Sequence, residues 1–530
     1  MKNWTKLVCF FVMLFVMTAG VFAGGGNQQQ TQATGGRVDR AAFITAKNQA
    51  QRSIPANYEI TVLTVSQDGQ IIAADHPAIR ALEQLTGYKI KLEYILNANY
   101  AESLNTRLAS RNLPGLVSIT GNTMPVVQAA QWGAFWDITD IYDLYPNLAR
   151  ADKGVMRNIS IEGRNYGIYR QRDWPRSGMI YREDWLQKLG LQPPKTLDEL
   201  YTVLRAFTLN DPDGNGRQDT FGMAWTGGHM GPFYMLAVAH GAPNYWGDRN
   251  GNLTPWFEYD EFVAAMNYSK RLYDEGLINR DFAATSTGDW ALFFGRGQAG
   301  FHMDVADEAS RSAVRLRDNG LMTQAEFDAG AKVGVMGLLA NSRGQTFVFP
   351  QNDGHQGYVA ISTVGAKTLA DLHYHLDFMD KLNNAQGITI MNWGAEGVNF
   401  TRNSDGTVTQ IPAAQITGGR DVLQGLNQFR MLSDIGAVLR PNAYQTKHIA
   451  VFAQIQPHGV VNPVTPIALL SPTWTLRSST LNTIIVDAVI NYIMGNIDIA
   501  GFNREKARWY SEGGQQAMGE LQIAYAASRR

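Results

Sequence analysis

The clearest candidate for a functional site in this chain is a short run of oxygen-bearing side chains, DPDGNGRQD at residues 211–219. Carboxylates or amides stand at every second position near its start, and Gly216 supplies a sharp turn. This alternation is the ligand layout of a calcium-binding loop. The expected ligands are Asp211, Asp213, Asn215, the backbone carbonyl of Arg217, and Asp219. The alternative is a solvated turn without metal, because these residue types favour turns. Gly222 stands where such loops usually carry a bidentate Glu.

The N-terminus has the pattern of a secretory signal. Lys2 and Lys6 precede an apolar run over residues 7–19, and small residues then predict cleavage after Ala23. The apolar run is shorter than the roughly 20 residues that span a bilayer. Cys9 lies inside the run, so no lipoprotein anchor is expected, and cleavage removes the only cysteine. The sequence therefore predicts a periplasmic or secreted protein without disulfides.

Composition limits the possible functions of the remaining chain. Residues 24–52 are rich in Gly, Gln, Thr and Ala and predict a flexible tether. The rest of the 530 residues is enough for two or three domains. A net charge of −1 gives no electrostatic footprint for nucleic acid. The sequence has no basic amphipathic helix and no second long apolar run, which are the features that would indicate membrane binding. A soluble protein is therefore expected.

The first half of the fold is predicted from strand–helix alternation. Periods of two and runs of β-formers predict strands at 59–65, 89–95 and 116–119. Helical spacing predicts helices at 77–85 and 101–110. A βαβαβ unit of this kind forms a parallel sheet with helices on its faces. Ligands of such sheets bind at the carboxyl ends of the strands.

A second α/β unit begins near residue 166. Its predicted helices are 182–189, 196–207, 259–275 and 369–382, and a strand follows the calcium loop at 221–225. Strands near 298–303 and 357–361 are expected where the chain crosses between the two units. The predicted fold is therefore α/β, with two lobes joined by several crossings as a clam-shell that closes by hinge motion.

These crossings also predict the extent of each lobe. Lobe one is assigned residues 53–168 and about 298–356. Lobe two is assigned residues 169–297 and about 357–530, with C-terminal helices able to pack on both lobes.

An ordered set of motifs spans nearly all of the chain after the tether. The motifs are YGIY from Tyr166, YREDWLQKLGL from Tyr181, PKTLDE from Pro194, YDEGLI from Tyr273, FFGRGQAG from Phe293 and NWGAEG from Asn392. Together with the calcium loop, this order closely resembles the extracellular solute-binding proteins of bacterial ABC importers. More narrowly, it resembles the oligosaccharide-binding branch that includes the maltose-binding and alginate-binding proteins.

The resemblance implies a non-catalytic, monomeric receptor that binds an oligosaccharide between its lobes and delivers it to a membrane-embedded permease. In alginate-binding relatives the matching loop holds calcium, which implies the same ligands here. Two positions depart from the family pattern. Thr220 replaces an acidic residue, which affects the expected calcium affinity. Gly115 replaces the family's Asp, so an acidic group is absent near the first lobe's cleft.

Sugars are bound by aromatic rings that stack on their C–H faces and by polar groups that bond their hydroxyls. The aromatic candidates are Trp174, Trp225 and Trp393. The polar candidates are Arg170, Asp304, Asn122 and Glu396. Core packing is the alternative for each Trp, and an ion pair between lobes or a solvated loop is the alternative for each polar residue. Trp185, on a helix beside Leu186 and Leu189, is assigned to the core.

Catalysis is the competing hypothesis. The sequence has no Gly-x-Ser-x-Gly elbow, His-Glu-x-x-His helix or Walker-type phosphate loop. His373 and His375 point to different faces of a predicted helix and make a poor metal pair. With 47 acidic residues, a carboxylate pair at glycosidase spacing stays open. The alternative function is therefore a calcium-stabilised secreted polysaccharide hydrolase.

Overall fold

The computed structural model describes residues 36–529 apart from 53, 67–70, 72, 228–230, 287–288, 351, 412–424, 426–427, 433–434 and 439–440. The predicted signal peptide and its cleavage site lie outside the described residues. The strands are β1 (Glu59–Ser66), β2 (Lys89–Leu96), β3 (Leu116–Ile119), β4 (Gly167–Gln171), β5 (Ser177–Arg182), β6 (Phe221–Ala224), β7 (Trp246–Arg249), β8 (Asn252–Pro255), β9 (Ala299–Val305), β10 (Val333–Met336), β11 (His355–Ile361), β12 (Phe400–Arg402) and β13 (Val408–Gln410).

The helices fall between and after these strands. They are α1 (Arg40–Ala50), α2 (Pro77–Thr86), α3 (Asn97–Ser110), α4 (Met124–Gln131), α5 (Lys153–Asn158), α6 (Glu183–Lys188), α7 (Leu197–Leu209), α8 (Gly231–His240), α9 (Asp260–Asp274), α10 (Trp290–Gly295), α11 (Glu308–Asp318), α12 (Gln324–Asp328), α13 (Leu369–Leu382), α14 (Ala385–Trp393), α15 (Ala443–Ile455), α16 (Pro472–Ile493), α17 (Ile499–Trp509) and α18 (Gln515–Ser528). No helix in the described part of the chain combines the length and the apolar character needed to cross a bilayer.

Lobe one is built on a five-stranded sheet of order β2-β1-β3-β11-β4. Strands β1, β2 and β3 are parallel, as the βαβαβ pattern predicts, and β11 runs antiparallel between β3 and β4. The strands are rich in buried aliphatic residues, and α2, α13 and α14 pack into the same core. Helix α2 ends at Gly87, whose φ of 80° is the left-handed conformation that glycine adopts without strain.

Lobe two is built on a mixed four-stranded sheet of order β10-β5-β9-β6. Its core contains Trp185, which is 1% exposed and meets the ring of Phe207 edge-on at 5.3 Å. The assignment of Trp185 to the core is therefore confirmed. The long helix α16 packs on α9, α17 and α18 in this same lobe.

The predicted lobe boundaries are wrong in two places. Strands β9 and β10 pair with β5 in the sheet of lobe two, although residues 298–356 were assigned to lobe one. Strand β11 and helices α13 and α14 belong to lobe one, although they follow residue 357. A strand's own pattern shows that it is buried but not which distant strand it pairs with. The chain crosses between lobes at 172–176, at 337–354 and between α14 and α15.

The predicted tether is partly a helix. Residues 40–50 form α1, whose first turn is capped by the Asp39 side chain accepting the backbone N–H of Ala42. Phe43 is fully buried in the core of lobe one, where α1 packs on α13. The burial of one aromatic ring anchors this segment to the lobe, which its polar composition did not reveal.

Candidate functional site

A deep cleft lies between the two lobes and divides into two adjoining chambers. The larger has a volume of about 890 Å³, and we call it the arginine chamber after Arg170, Arg172, Arg176, Arg311 and Arg430 in its wall. The smaller has a volume of about 620 Å³, and we call it the tryptophan chamber after Trp174. Arg172, Asp173 and Phe452 line both chambers. Each volume falls within the roughly 300–1,000 Å³ of small-molecule sites.

Both lobes contribute to the arginine chamber. Lobe one supplies Arg170 near the end of β4 and the C-terminal turn of α14, residues 391–393. Lobe two supplies Asp304 near the end of β9 and the first turns of α11. On α15, His448 and Phe452 are four residues apart and so share the helix face that forms the chamber's outer wall. A ligand here would touch both lobes at once.

The guanidinium groups in this chamber repel one another. Burial lowers the pKa of Arg170 to about 9, and Arg172, Arg430 and Arg176 add to the effect. Burial and the charges of Arg176 and Arg430 likewise lower the pKa of Arg172 to about 10. Among the described residues, no carboxylate lies within ion-pairing distance of Arg170 or Arg172, whose side chains bond to the amide oxygens of Gln428 and Gln356. The chamber therefore favours an anion.

Two carboxyl groups in the same chamber behave differently. Burial raises the pKa of Asp304 to about 6, and the nearby Glu308 charge adds to this shift. Burial acts the same way on Asp307, but Arg176, Arg311 and His448 together outweigh it and lower the pKa of that carboxyl. Arg176 donates to Asp307 at 2.8 Å, and Arg311 donates to it at 3.3 Å. Asp307 is thus a fixed anion that anchors two arginines, whereas Asp304 can take up a proton.

Four of the predicted site residues lie in the cleft. Arg170, Asp304 and Trp393 line the arginine chamber, and Trp174 lines the tryptophan chamber. Trp393 is only 8% exposed and donates its indole N–H to the carbonyl oxygen of Ala437 at 2.8 Å. Only a small part of its surface is therefore open to a ligand, and most of its ring is packed in lobe one.

The other three predicted residues lie elsewhere. Trp225 is 1% exposed in the core of lobe two, with its ring edge-on to Phe282. Asn122 lines neither chamber, because its amide donates to the carbonyl of Ile159 and accepts from the hydroxyl of Tyr358. Glu396 lines a separate surface pocket and pairs with Arg402 at 3.5 Å. Core packing and local hydrogen bonds account for these residues, which the structure places outside both chambers.

Sequence reasoning missed most of the arginine chamber. Arg172 and Arg176 lie only a few residues after Arg170, so the run RQRDWPR was a visible signal of positive charge at a crossing. Arg311 lies four residues after Asp307 and so shares its helix face. Arg430 had no local signal, because it reaches the cleft from a connecting segment far along the chain.

The predicted calcium loop lies on lobe two, between α7 and β6. The Asp211 carboxylate accepts the backbone N–H groups of Gly214, Asn215 and Gly216 at 3.0–3.1 Å. The Asn215 amide donates to Asp213 at 2.7 Å and to Asp219 at 3.1 Å. One amide thus bridges two carboxylates at the centre of the loop.

The loop's side chains suit a hard cation by donor type, since carboxylate and amide oxygens are what calcium prefers. Burial raises the pKa of Asp213, and the Asp211 and Asp219 carboxylates act in the same direction, so a cation would relieve their repulsion. Within the described residues, however, no three acidic, His or Cys side chains are already arranged around a common metal position. Calcium binding therefore stays a prediction.

Two α/β lobes with a ligand-sized cleft between them have the architecture of a two-lobe binding protein. Residues 78–368 match the family model described as bacterial extracellular solute-binding protein. The chain is 34% identical over 468 residues to Lipoprotein LipO of Bacillus subtilis (strain 168), covering 86% of this chain and 89% of that protein. It is 32% identical over 451 residues to the polygalacturonan/rhamnogalacturonan-binding protein YtcQ of the same organism, covering 84% and 88%. This chain belongs to the bacterial extracellular solute-binding proteins.

The fold agrees with this family. A crystal structure of the alginate-binding protein AlgQ2 without calcium ion superposes with a TM-score of 0.65 and 20% sequence identity. The match covers 89% of this chain and 99% of that one. At this identity the likeness shows the fold alone, and it confirms the predicted two-lobe architecture.

Proposed function

We propose that this protein is the substrate-binding component of an ABC importer, and that it captures an acidic oligosaccharide between its lobes for delivery to a membrane permease. The observation that carries this proposal is the pair of buried guanidinium groups, Arg170 and Arg172, for which the described residues provide no carboxylate within ion-pairing distance. Asp307 and Asp173 act on Arg172 only from farther away. A uronate carboxylate would accept hydrogen bonds from a guanidinium fork in the bidentate geometry that arginine favours.

The chamber walls and the relatives support the same ligand class. Phe452 and the small exposed part of Trp393 offer apolar surface for the C–H faces of a sugar ring. YtcQ is named for binding polygalacturonan and rhamnogalacturonan, and AlgQ2 for binding alginate. These polymers carry carboxylates, so the positively charged arginine chamber suits their class.

The compartment and the cofactor complete the proposal. Export by a signal peptide cleaved after Ala23 would place the protein in the periplasm or outside the cell, as a soluble monomer. Calcium in the loop of residues 211–219 would neutralise its three aspartates and join α7 to β6 within lobe two. Mass spectrometry of the exported protein tests the cleavage site, and light scattering tests the monomer.

Calorimetric titration with trigalacturonate and with its fully methyl-esterified form tests the ligand class directly. Because esterification removes the negative charges and keeps the sugar skeleton, we expect the ester to bind at least about tenfold more weakly. Equal affinity for the two probes would contradict an acidic ligand.

The hydrolase alternative requires a second readout. Asp304 and Asp307 are two carboxyl groups whose pKa values are pushed apart, a pattern also found in glycosidases. We expect chromatography to show intact trigalacturonate after prolonged incubation with the protein. Steady release of shorter products would favour the hydrolase.

Ligand affinity is expected to depend on the protonation of Asp304. Because burial holds its pKa at about 6, this carboxyl is charged at pH 7.5 and opposes a bound uronate. Protonation at lower pH removes that repulsion, while the uronate itself stays ionised well below this range. We expect calorimetric affinity for trigalacturonate to rise about three- to tenfold from pH 7.5 to pH 5.5.

The control separates Asp304 from other titrating groups. Asp307, Glu308 and Arg311 surround it, and His448 lines the same chamber. Asp304→Asn should abolish most of the pH dependence, whereas Asp143→Asn, at an exposed ion pair with Arg40, should retain it. A pH dependence that persists in Asp304→Asn would assign the effect to another group such as His448.

A further inference from the structure

The two chambers form one groove that is longer than a single small-molecule site. Their shared residues Arg172, Asp173 and Phe452 form the boundary between them. Together the two volumes exceed the roughly 1,000 Å³ at the upper end for small-ligand pockets. The groove therefore has room for a chain of several sugar units with a distinct environment at each end.

The charges of the two chambers differ in sign. In the described part of the arginine chamber, five arginines face three aspartates, Asp173, Asp304 and Asp307. In the described part of the tryptophan chamber, two arginines, Arg157 and Arg172, face three aspartates, Asp152, Asp173 and Asp353. The groove thus changes from positive to slightly negative along its length.

Asp353 is the acidic group that defines the far end. It lies on the crossing between the lobes, where its carboxylate accepts from the Thr465 hydroxyl at 3.3 Å. Its backbone carbonyl accepts from the Asn158 amide at 3.0 Å, which fixes the residue against lobe one. Among the described residues, no cation lies within ion-pairing distance of this carboxylate. Such a group accepts hydrogen bonds from sugar hydroxyls and repels a sugar carboxylate.

The walls of the tryptophan chamber suit an uncharged sugar. Trp174 and Pro175 both lie against Gly459, where a side-chain carbon would come within 3.1 Å of the indole ring. Glycine there lets the ring lie against the backbone, which holds it in place. Pro463, Pro466 and Val461 add apolar surface to the same chamber. Apolar walls with a few acceptors for sugar hydroxyls are typical of neutral-sugar sites.

We propose that the ligand is an oligosaccharide with an acidic unit at one end and an uncharged unit at the other. The acidic unit binds in the arginine chamber, and the uncharged unit binds against Trp174 and Asp353. This inference rests on the proposed function and adds to it the polarity of the ligand and its direction in the groove.

The test compares four probes by calorimetry: trigalacturonate, its two isomers methyl-esterified at only one terminal unit, and its full methyl ester. Esterifying the unit that meets Asp353 removes a repulsion, so one terminal ester should bind at least about threefold more tightly than trigalacturonate. Esterifying the opposite end removes the contact with the arginines, so the other isomer and the full ester should bind at least about tenfold more weakly.

The outcomes distinguish the two proposals. If trigalacturonate binds more tightly than both terminal esters, the groove prefers an acidic sugar unit at both ends. That result would overturn the polarity proposal and leave the proposed function standing. If the full ester binds as tightly as trigalacturonate, the proposed function fails and the polarity proposal fails with it.

A protein variant gives an independent readout. Asp353→Asn removes the carboxylate and keeps the shape, so it should abolish the advantage of the tighter terminal ester. Trp132→Ala, at a half-exposed Trp that stacks on Arg111 outside the cleft, is the control and should leave the order of the four probes unchanged. An unchanged advantage in Asp353→Asn would remove Asp353 from the proposal.

Discussion

Replacing Arg170 by methionine is expected to weaken trigalacturonate binding by roughly 2–4 kcal/mol, about 30- to 1,000-fold. The same variant is expected to raise the melting temperature of the ligand-free protein. Both effects have one cause, because Arg170 is a buried cation beside Arg172, Arg176 and Arg430. In the free protein its charge is desolvated and repelled, whereas in the complex the ligand's carboxylate offsets that cost.

The opposite signs make this a demanding test. A residue that only supported the fold would lose stability and affinity together. Calorimetry measures the affinity, and thermal unfolding without ligand measures the stability. The matched control is Arg164→Met, because Arg164 lies in lobe one outside both chambers and pairs with Asp137 at 2.5 Å and Asp140 at 3.0 Å. Its loss should lower stability and leave affinity unchanged. An Arg170→Met protein that binds trigalacturonate normally would remove this residue from the site.

Removing calcium with a chelator is expected to lower the melting temperature by about 5–10 °C. A ligand present at about 100 times its dissociation constant stabilises the native state by roughly 2.7 kcal/mol. Each kcal/mol shifts the melting temperature by roughly 2–4 °C in a domain of 150–250 residues. The loop connects α7 to β6 inside lobe two, so the metal would stabilise that lobe more than the cleft. Sugar affinity should therefore persist in chelator.

A variant within the loop provides the check. Asp219→Asn weakens the donor set and should make the melting temperature insensitive to chelator. Asp274→Asn changes a surface carboxylate in the same lobe, paired with Lys270 at 3.0 Å, and should keep the sensitivity. Elemental analysis of the purified protein reports the bound metal. No calcium in the preparation, together with equal melting temperatures in calcium and in chelator, would show that the loop is a turn without metal.

Local periodicity predicted individual elements well. The strand at 116–119 and the helix at 369–382 begin and end where the sequence pattern predicts. The cap of α7 is also as predicted, since the Thr196 hydroxyl accepts the N–H of Glu199 at 3.1 Å. These features depend on residues within a few positions of one another, so a single sequence contains the needed information.

Predictions about single side chains in the cleft succeeded only in part. Trp174 and Trp225 were both predicted to stack on a sugar, although Trp174 stands in the polar run RQRDWP and Trp225 ends the predicted strand at 221–225. One lines the cleft and the other is buried beside Phe282. A large aromatic side chain suits a core as well as a sugar site, and only its neighbours in space distinguish the two.

The sequence by itself determined the class of protein, the first βαβαβ unit and the oxygen-rich loop, because each of these follows from local spacing or from motifs in a fixed order. The tertiary structure decided which sheet β9 and β11 join, and it brought Arg430 to Arg170 across about half of the chain. Strand pairing and charge clustering join residues that are distant in sequence, and no local pattern encodes such contacts. The ligand's expected charge follows from that clustering, so it emerges only once the chain is folded.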